Sequence, residues 1–330
     1  MNKIKWGIIG TGKIAHTFAE ALKATPDAEL IAVASRNADK AADFAEKFGF
    51  IHSYGSYAEL AEKSGADIVY IATPMSKHYE DSILCLKNGK HVLCEKSVTL
   101  NCTELEEILA LAKEKNLFFM EAMWMKCRPV YLKAIEWAKS GRIGEIRYIK
   151  ADFCNLVPYN HDDRLFNPEC GGGALLDLAV YPLTLAADFL GGTPDTIISS
   201  AHIGNDGIDL SNSILLKYQN GSFASLDSGF EIPLRNNAVI SGTEGLIILG
   251  DWFHCTCNAV LLDRCCNEVE NINIPDEING YEYEIREVHR CLVNNMTEST
   301  LVPHSSTMNV MRIMDECRRQ WNMKFPSEIR

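Results

Sequence analysis

Ile4-Lys5-Trp6-Gly7-Ile8-Ile9 runs without a break into Gly10-Thr11-Gly12-Lys13-Ile14-Ala15, and an apolar pattern at helical spacing follows at once. A strand-like run that breaks into a glycine turn and then a helix is how a dinucleotide-binding βαβ unit begins. Gly10 permits the tight turn, and Gly12 lets the backbone approach a pyrophosphate. The start of the next helix offers unpaired N–H groups and a positive dipole end to that anion. Ala15 takes the third glycine place and is small enough for helix–strand packing.

Outward from this turn the alternation continues. Residues 29–35, 68–72, 91–94 and 117–120 read as short buried strands, and 14–24, 38–48, 57–63, 78–88 and 102–115 as helices. Asn101 with Glu104 marks a helix start, and Gly49 and Gly89 mark helix ends. Such alternation predicts a doubly wound parallel sheet, with its ligand beyond the carboxyl ends of the strands. After about Gly144 the rhythm turns β-rich: 145–155, 196–203, 211–219, 222–232, 237–241 and 246–249 read as strands, with Asn220-Gly221 as a hairpin signal. One helix, 173–190, interrupts them, with Pro182 as an expected kink. Helices close the chain at 282–294 and 307–320, the last expected to return to the nucleotide domain. The fold class is therefore α/β: a Rossmann domain over 1–122, then an α+β domain over 123–330 on a large, mostly antiparallel sheet.

The 330 residues are too many for one ordinary core, and the composition, 47% hydrophobic and 23% charged, is globular. A net charge of −12 argues against nucleic acid as a partner. No signal peptide or membrane span is expected, because Gly10–Lys13 interrupt the first apolar run and no apolar stretch approaches the roughly 20 residues a bilayer needs. The twelve cysteines lack paired metal-ligand spacings, so no metal site is expected, and scattered thiols suit the cytoplasm.

Ser35-Arg36-Asn37 ends the second strand without the acid that usually binds the ribose 2′-hydroxyl of NAD. A hydroxyl beside a guanidinium suits a 2′-phosphate, which favours NADP, with NAD the alternative. Thr73 and Pro74 end a central strand, and His78 either contacts cofactor or substrate or is structural. Glu95 and Lys96 end another strand, where the lysine faces the cleft and neighbouring charges can tune it. Beyond Gly171-Gly172-Gly173, Asp177 and Tyr181 lie four apart on one helix face, either as a catalytic carboxylate and phenol or as a cap and a packing residue.

These pieces, in this order, resemble the Gfo/Idh/MocA oxidoreductase family over essentially the full length. The branch of dimeric dihydrodiol dehydrogenases and NADP-dependent D-xylose dehydrogenases is the most similar. Gly10–Ala15, Glu95-Lys96-Ser97, Met120–Trp124, Arg128-Pro129 and Gly171–Tyr181 carry the resemblance, with Tyr181 where the wider family has histidine. Ser97 departs from the family's proline, which leaves the Lys96–Ser97 bond either trans or cis.

The resemblance implies hydride transfer between nicotinamide and a carbinol carbon of a sugar or cyclic diol. Tyr181 would be the acid/base, Lys96 would favour its phenolate, and Asp177 would orient its partners. Gly10, Thr11, Gly12, Lys13, Ile14, Ser35, Arg36, Thr73, Pro74, His78, Glu95 and Lys96 would hold the cofactor. Trp124, Phe153, Asp177, Tyr181 and Trp252 would line the substrate. A homodimer through the second domain's sheet is also implied. A family-like NAD-dependent glycosidase is the alternative, predicting hydrolysis without net cofactor turnover. A nucleotide-sensing regulator would be expected to lack Lys96.

Overall fold

The computed structural model describes residues 3–329. In chain order the elements are β1 (Ile4–Ile9), α1 (Lys13–Ala24), β2 (Ala28–Ala34), α2 (Ala38–Phe48), β3 (His52–Tyr54), α3 (Tyr57–Lys63), β4 (Ile68–Ile71), α4 (His78–Lys87), β5 (His91–Cys94), α5 (Cys102–Lys115) and β6 (Phe119–Glu121). Then come α6 (Pro129–Lys139), β7 (Ile146–Cys154), α7 (Val180–Leu190), β8 (Thr196–Ile203), β9 (Asp209–Lys217), β10 (Phe223–Gly229), β11 (Ala238–Gly242) and β12 (Gly245–Leu249). The chain finishes with β13 (Asn258–Asp263), β14 (Glu268–Asn273), α8 (Glu282–Val293) and α9 (His304–Trp321). It divides into two compact units: residues to 99 with 103–127 and 276–304, and residues 100–102 with 128–275 and from 305 on.

In the first unit all strands run parallel in the order β3-β2-β1-β4-β5-β6. The order reverses between β1 and β4, and the turn Gly10–Gly12 lies at the carboxyl end of β1, at that switch point. Strands covered on both faces read as apolar runs, and all four residues of β4 are buried. The helices follow from local chemistry. The Asn37 side chain accepts from Lys40 N at 3.0 Å to start α2, and Gly49, at φ +89°, ends it. Between these caps Ala41, Phe44, Ala45 and Phe48 supply one buried stripe. The wholly buried Trp6 of β1 donates to His289 Nε2 at 2.9 Å, tying α8 to the sheet.

The second unit holds eight strands in the order β14-β13-β12-β11-β7-β10-β9-β8, antiparallel except for β7 with β10. Asn220-Gly221 turns β9 into β10 as its sequence indicates. From Asn212 on, β9 alternates strictly, with Asn212, Ile214 and Leu216 buried and Ser213, Leu215 and Lys217 exposed. α7 lies on β7 and β10, and α6 on β12 and β13.

The structure corrects several expectations. The segment 173–190 is not one kinked α-helix: a π-type turn over Leu175–Ala179 precedes α7. Pro182 falls in the first turn of α7, where its missing N–H is least costly, so the irregularity precedes the proline. The stretch 168–190 is also long and apolar enough to cross a membrane, contrary to the reading of the sequence, but most of it is buried inside the protein. α6 was not anticipated, although Pro129 at its first position is a helix-start signal. The short β3 and the edge pair β13–β14 were also not anticipated. The final helix groups with the second unit, and 276–304, which carries α8, is the stretch that returns to the first. The Lys96–Ser97 peptide, which the sequence left open as trans or cis, is cis.

Candidate functional site

In the first unit, the glycine turn has the geometry of an anion cradle. Gly10 sits at φ +99°, and a Cβ there would meet Ala72 O at 2.5 Å, so glycine is obligatory. A Cβ on Gly12 would meet nothing within 4 Å. Gly12 caps α1 with extended backbone, no side chain caps the helix, and no acid lies in its first turn. The start of α1 thus offers its dipole end and first-turn N–H groups with no side-chain cap from Gly12 and Lys13 beside them, as a pyrophosphate requires. Ile14 is half-buried in the same turn.

Thr11 Oγ1 donates to Ser35 Oγ at 3.3 Å, and Ser35 Oγ also accepts from Asn37 N at 3.3 Å. These bonds join the end of β2 to the glycine turn and leave Arg36 exposed at the rim. Asp81, on α4, accepts from the Thr73 hydroxyl at 2.7 Å. Burial pushes its carboxyl up to about 6, against the Thr73 bond and the Arg36 charge, which hold it down.

His78 is buried, and both ring nitrogens face backbone oxygens: Nδ1 lies 2.9 Å from Ser97 O and Nε2 3.0 Å from Thr73 O. The ring thus fastens the loop after β4, which carries Thr73 and Pro74, to the loop after β5, which carries Glu95 and Lys96. Glu95 is buried; one carboxyl oxygen accepts from the Tyr70 hydroxyl and the other from Lys96 N at 3.2 Å. Tyr70 is stacked on Phe18 at 3.7 Å. Beside Glu95 lies a group that sequence reasoning missed: Glu284 on α8 is wholly buried, and neither of its oxygens has a hydrogen-bond partner among the described residues. Burial, then the Glu95 carboxylate, pushes its acid well above the usual range. Trp124 stacks on Tyr281 at 4.5 Å within this same unit.

In the second unit, the triple-glycine turn is sterically dictated. A Cβ on Gly172 would meet Leu165 O at 2.7 Å, and one on Gly173, at φ +120°, would meet Asp209 Oδ1 at 2.5 Å. Asp209 is wholly buried, and its Oδ2 accepts from Leu175 N and Asn212 Nδ2, both at 2.8 Å. It caps the segment leading to Asp177 and Tyr181 from a different strand. Burial lifts its carboxyl to about 7, with those bonds pulling the other way.

Asp177 is nearly buried in the π-type turn, and its Oδ1 accepts from Arg164 at 3.2 Å. Tyr181 opens α7 with only 5% of its surface exposed. Its ring lies 5.4 Å from that of Phe153, which in turn lies 6.0 Å from that of Trp252. The structure thus brings Phe153, Tyr181 and Trp252 into one aromatic group. It adds His254, which sequence reasoning missed: the ring stacks on Phe153 at 4.4 Å and lies 4.9 Å from Tyr181. Its one sequence signal was its place two residues after Trp252. Among the described residues no cluster of three or more His, Cys, Asp and Glu could hold a metal ion.

Comparison with known proteins fits this geometry. Residues 4–123 match the NAD-binding Rossmann domain of the Gfo/Idh/MocA oxidoreductases, and residues 131–248 match that family's C-terminal domain. Trans-1,2-dihydrobenzene-1,2-diol dehydrogenase of Xenopus tropicalis is 32% identical over 329 residues, spanning 98% of this chain and 99% of that protein. The Homo sapiens enzyme of that name is 32% identical over 336 residues, 99% of each. A 3-ketoreductase from Actinomadura kijaniata, solved with NADP and TDP-benzene, is 29% identical with a TM-score of 0.87, covering 96% of this chain and 98% of that one. Levoglucosan dehydrogenase, at 18% identity and a TM-score of 0.87, covers 97% of this chain and 98% of its own, and shares the fold. With both of its domains matched and its full length aligned to named dehydrogenases, the chain belongs to the Gfo/Idh/MocA family of NAD(P)-binding oxidoreductases.

Proposed function

We propose that the chain is an NADP(H)-preferring dehydrogenase/reductase acting on a carbinol carbon of a diol or sugar, with Tyr181 as the acid/base. The observation that carries this reading is the buried Tyr181 phenol set among aromatic rings, four residues after a nearly buried carboxylate. The activities named for the relatives support it, since one acts on a cyclic diol and another is a 3-ketoreductase solved with NADP. Solved variants of that ketoreductase alter a tyrosine and a lysine, the two residue types given the central roles here.

Gly10–Ile14 would hold the pyrophosphate, and Ser35 with Arg36 the 2′-phosphate. Thr73, Pro74, Glu95 and Lys96 line the strand ends beyond them, with His78 fixing those loops. A bound nicotinamide supplies the hydride acceptor or donor. Tyr181 takes the hydroxyl proton in oxidation and returns it in reduction. A free phenol, with pKa ~10, is a poor base at neutral pH. The Lys96 ammonium favours its phenolate and stabilises negative charge on the substrate oxygen. Asp177 orients these partners, and Trp124, Phe153 and Trp252 offer apolar surface to one face of a ring. The scattered spacing of the twelve cysteines suits a cytoplasmic enzyme. The exposed apolar side chains on the sheet of the second unit suit a homodimer.

The test is kinetic. Incubation with NADP⁺ and a panel of diols and sugars should produce NADPH. Tyr181→Phe should abolish most turnover with NADP binding nearly intact. Lys96→Met should be comparably severe, and the double variant hardly worse than either, as for two residues acting as one unit. A folded Tyr181→Phe enzyme with near-normal turnover refutes the mechanism.

A further inference from the structure

One side chain in the aromatic group around Tyr181 has no part in the mechanism above. His254 lies in the turn between β12 and β13, which is held by Phe253 N donating to Asn236 O and Cys255 N donating to Trp252 O, both at 2.8 Å. Its ring is parallel to that of Phe153 within 23°, at 4.4 Å, and lies 4.9 Å from Tyr181 and 6.2 Å from Trp252. It therefore touches on each of the three residues of the second unit that offer rings to a substrate.

Stacking alone does not call for histidine. A phenyl ring would lie on Phe153 as well, and an apolar group would gain more from the burial. What imidazole adds is a polar edge able both to donate and to accept, as a hydroxyl demands. With ring centres 4.9 Å apart, phenol and imidazole are close enough to bond two hydroxyls of one small molecule. Adjacent hydroxyls on neighbouring carbons are the substrate feature that uses both.

We propose that His254 binds the hydroxyl on the carbon next to the reacting carbinol, and so makes the pocket selective for vicinal diols over simple alcohols. This rests on Tyr181 being the group that meets the reacting hydroxyl. No covalent step is involved; the imidazole gains or loses one neutral hydrogen bond.

The test compares trans-1,2-cyclohexanediol with cyclohexanol in the wild type, His254→Phe and His254→Gln. Oxidation with NADP⁺ gives kcat and KM, and tryptophan-fluorescence titration of the NADPH complex gives binding without turnover. His254→Phe keeps the stack and should lower kcat/KM for the diol about three- to tenfold, mainly through KM, the scale of one neutral hydrogen bond. It should leave cyclohexanol unchanged, and His254→Gln should recover most of the diol preference. Equal losses on both alcohols, or no loss on either, overturn the assignment. So does a wild type that neither binds nor oxidises the diol. Normal turnover by Tyr181→Phe overturns the proton-transfer reading instead, and the difference in diol binding between His254 and Phe still reports on this one.

Discussion

Replacing Glu284 by glutamine tests whether the nucleotide unit is built around a neutral buried acid. The carboxyl is wholly buried, has no hydrogen-bond partner among the described residues, and lies near Glu95 and Tyr70 from the sheet and Cys127 from the turn ahead of α6. Its acid is raised from an ordinary value of 4.5, first by burial and then by the Glu95 carboxylate. Above pH 4.5 the unfolded chain therefore releases a proton that the folded chain keeps, and stability falls as pH rises towards the folded pKa. Below 4.5 both states are protonated and nothing is lost. Glutamine has the same shape and no proton to release. The stability advantage of Glu284→Gln over the wild type should thus be near zero at pH 4.5. It should then grow by up to about 1.4 kcal/mol per pH unit, until Glu284 ionises in the folded protein. Other raised acids, Asp81 and Asp209 among them, titrate alike in both proteins and cancel in the difference. Urea unfolding of the two proteins side by side, at half-unit steps from pH 4.5 to 8, measures it. A flat difference, or a variant that becomes relatively less stable as pH rises, would refute a neutral Glu284 and mean a paired carboxylate.

Arg36→Ala should weaken NADP much more than NAD, because only NADP carries the extra phosphate; equal losses measured by fluorescence titration would sink the 2′-phosphate assignment. Gly173→Ala places a Cβ 2.5 Å from Asp209 Oδ1 at a φ of +120°, and should cost about 3 kcal/mol in a denaturant melt by combining backbone strain with loss of the Asp209 cap. Ile198, Leu215 and Phe223 are 58%, 39% and 43% exposed on the second unit's sheet. Leu215→Asp with Phe223→Asp should turn a dimer into monomers by light scattering, and a wild type that is monomeric at micromolar concentration removes the dimer altogether.

What was legible in the sequence is what local rules govern. The glycine turn, the alternation of the first unit, the Gly49 helix end and the Asn220-Gly221 hairpin all follow from propensity and spacing. What was missed had weak or misleading local signals. β3 is three residues long and largely exposed, and β14, Glu268–Asn273, is a polar edge strand with little apolar alternation. Glu282, Glu284 and Glu287 look like the solvated side of α8, yet all three are buried, each for a different reason. Glu282 accepts from the backbone N–H groups of residues 277–280. Glu287 is bonded by Arg290 and Ser299, and Glu284 has no partner among the described residues. Helical spacing cannot separate these cases, because the partners come from other segments.

The same limit applies to Tyr181, and it explains why its motif reads as it does. Asp177 and Tyr181 were expected to share a face of a regular helix, but the turn that carries Asp177 is π-type and regular helix begins only at Val180. Its start is set from a distance. Asp209 on β9 accepts from Leu175 N, and its second oxygen fills the space where residue 173 would carry a side chain. The carbonyls of residues 164, 165 and 167 close on Gly172 in the same way. Glycine here is thus less a source of flexibility than a consequence of packing. A buried carboxylate must come close enough to cap a segment whose own sequence supplies no cap. With the start pinned by Asp209 and α7 laid on β7 and β10, the ring of Tyr181 can meet Phe153 of β7. A substitution at Asp209, though remote from the phenol in sequence, should therefore act on turnover as well as on stability.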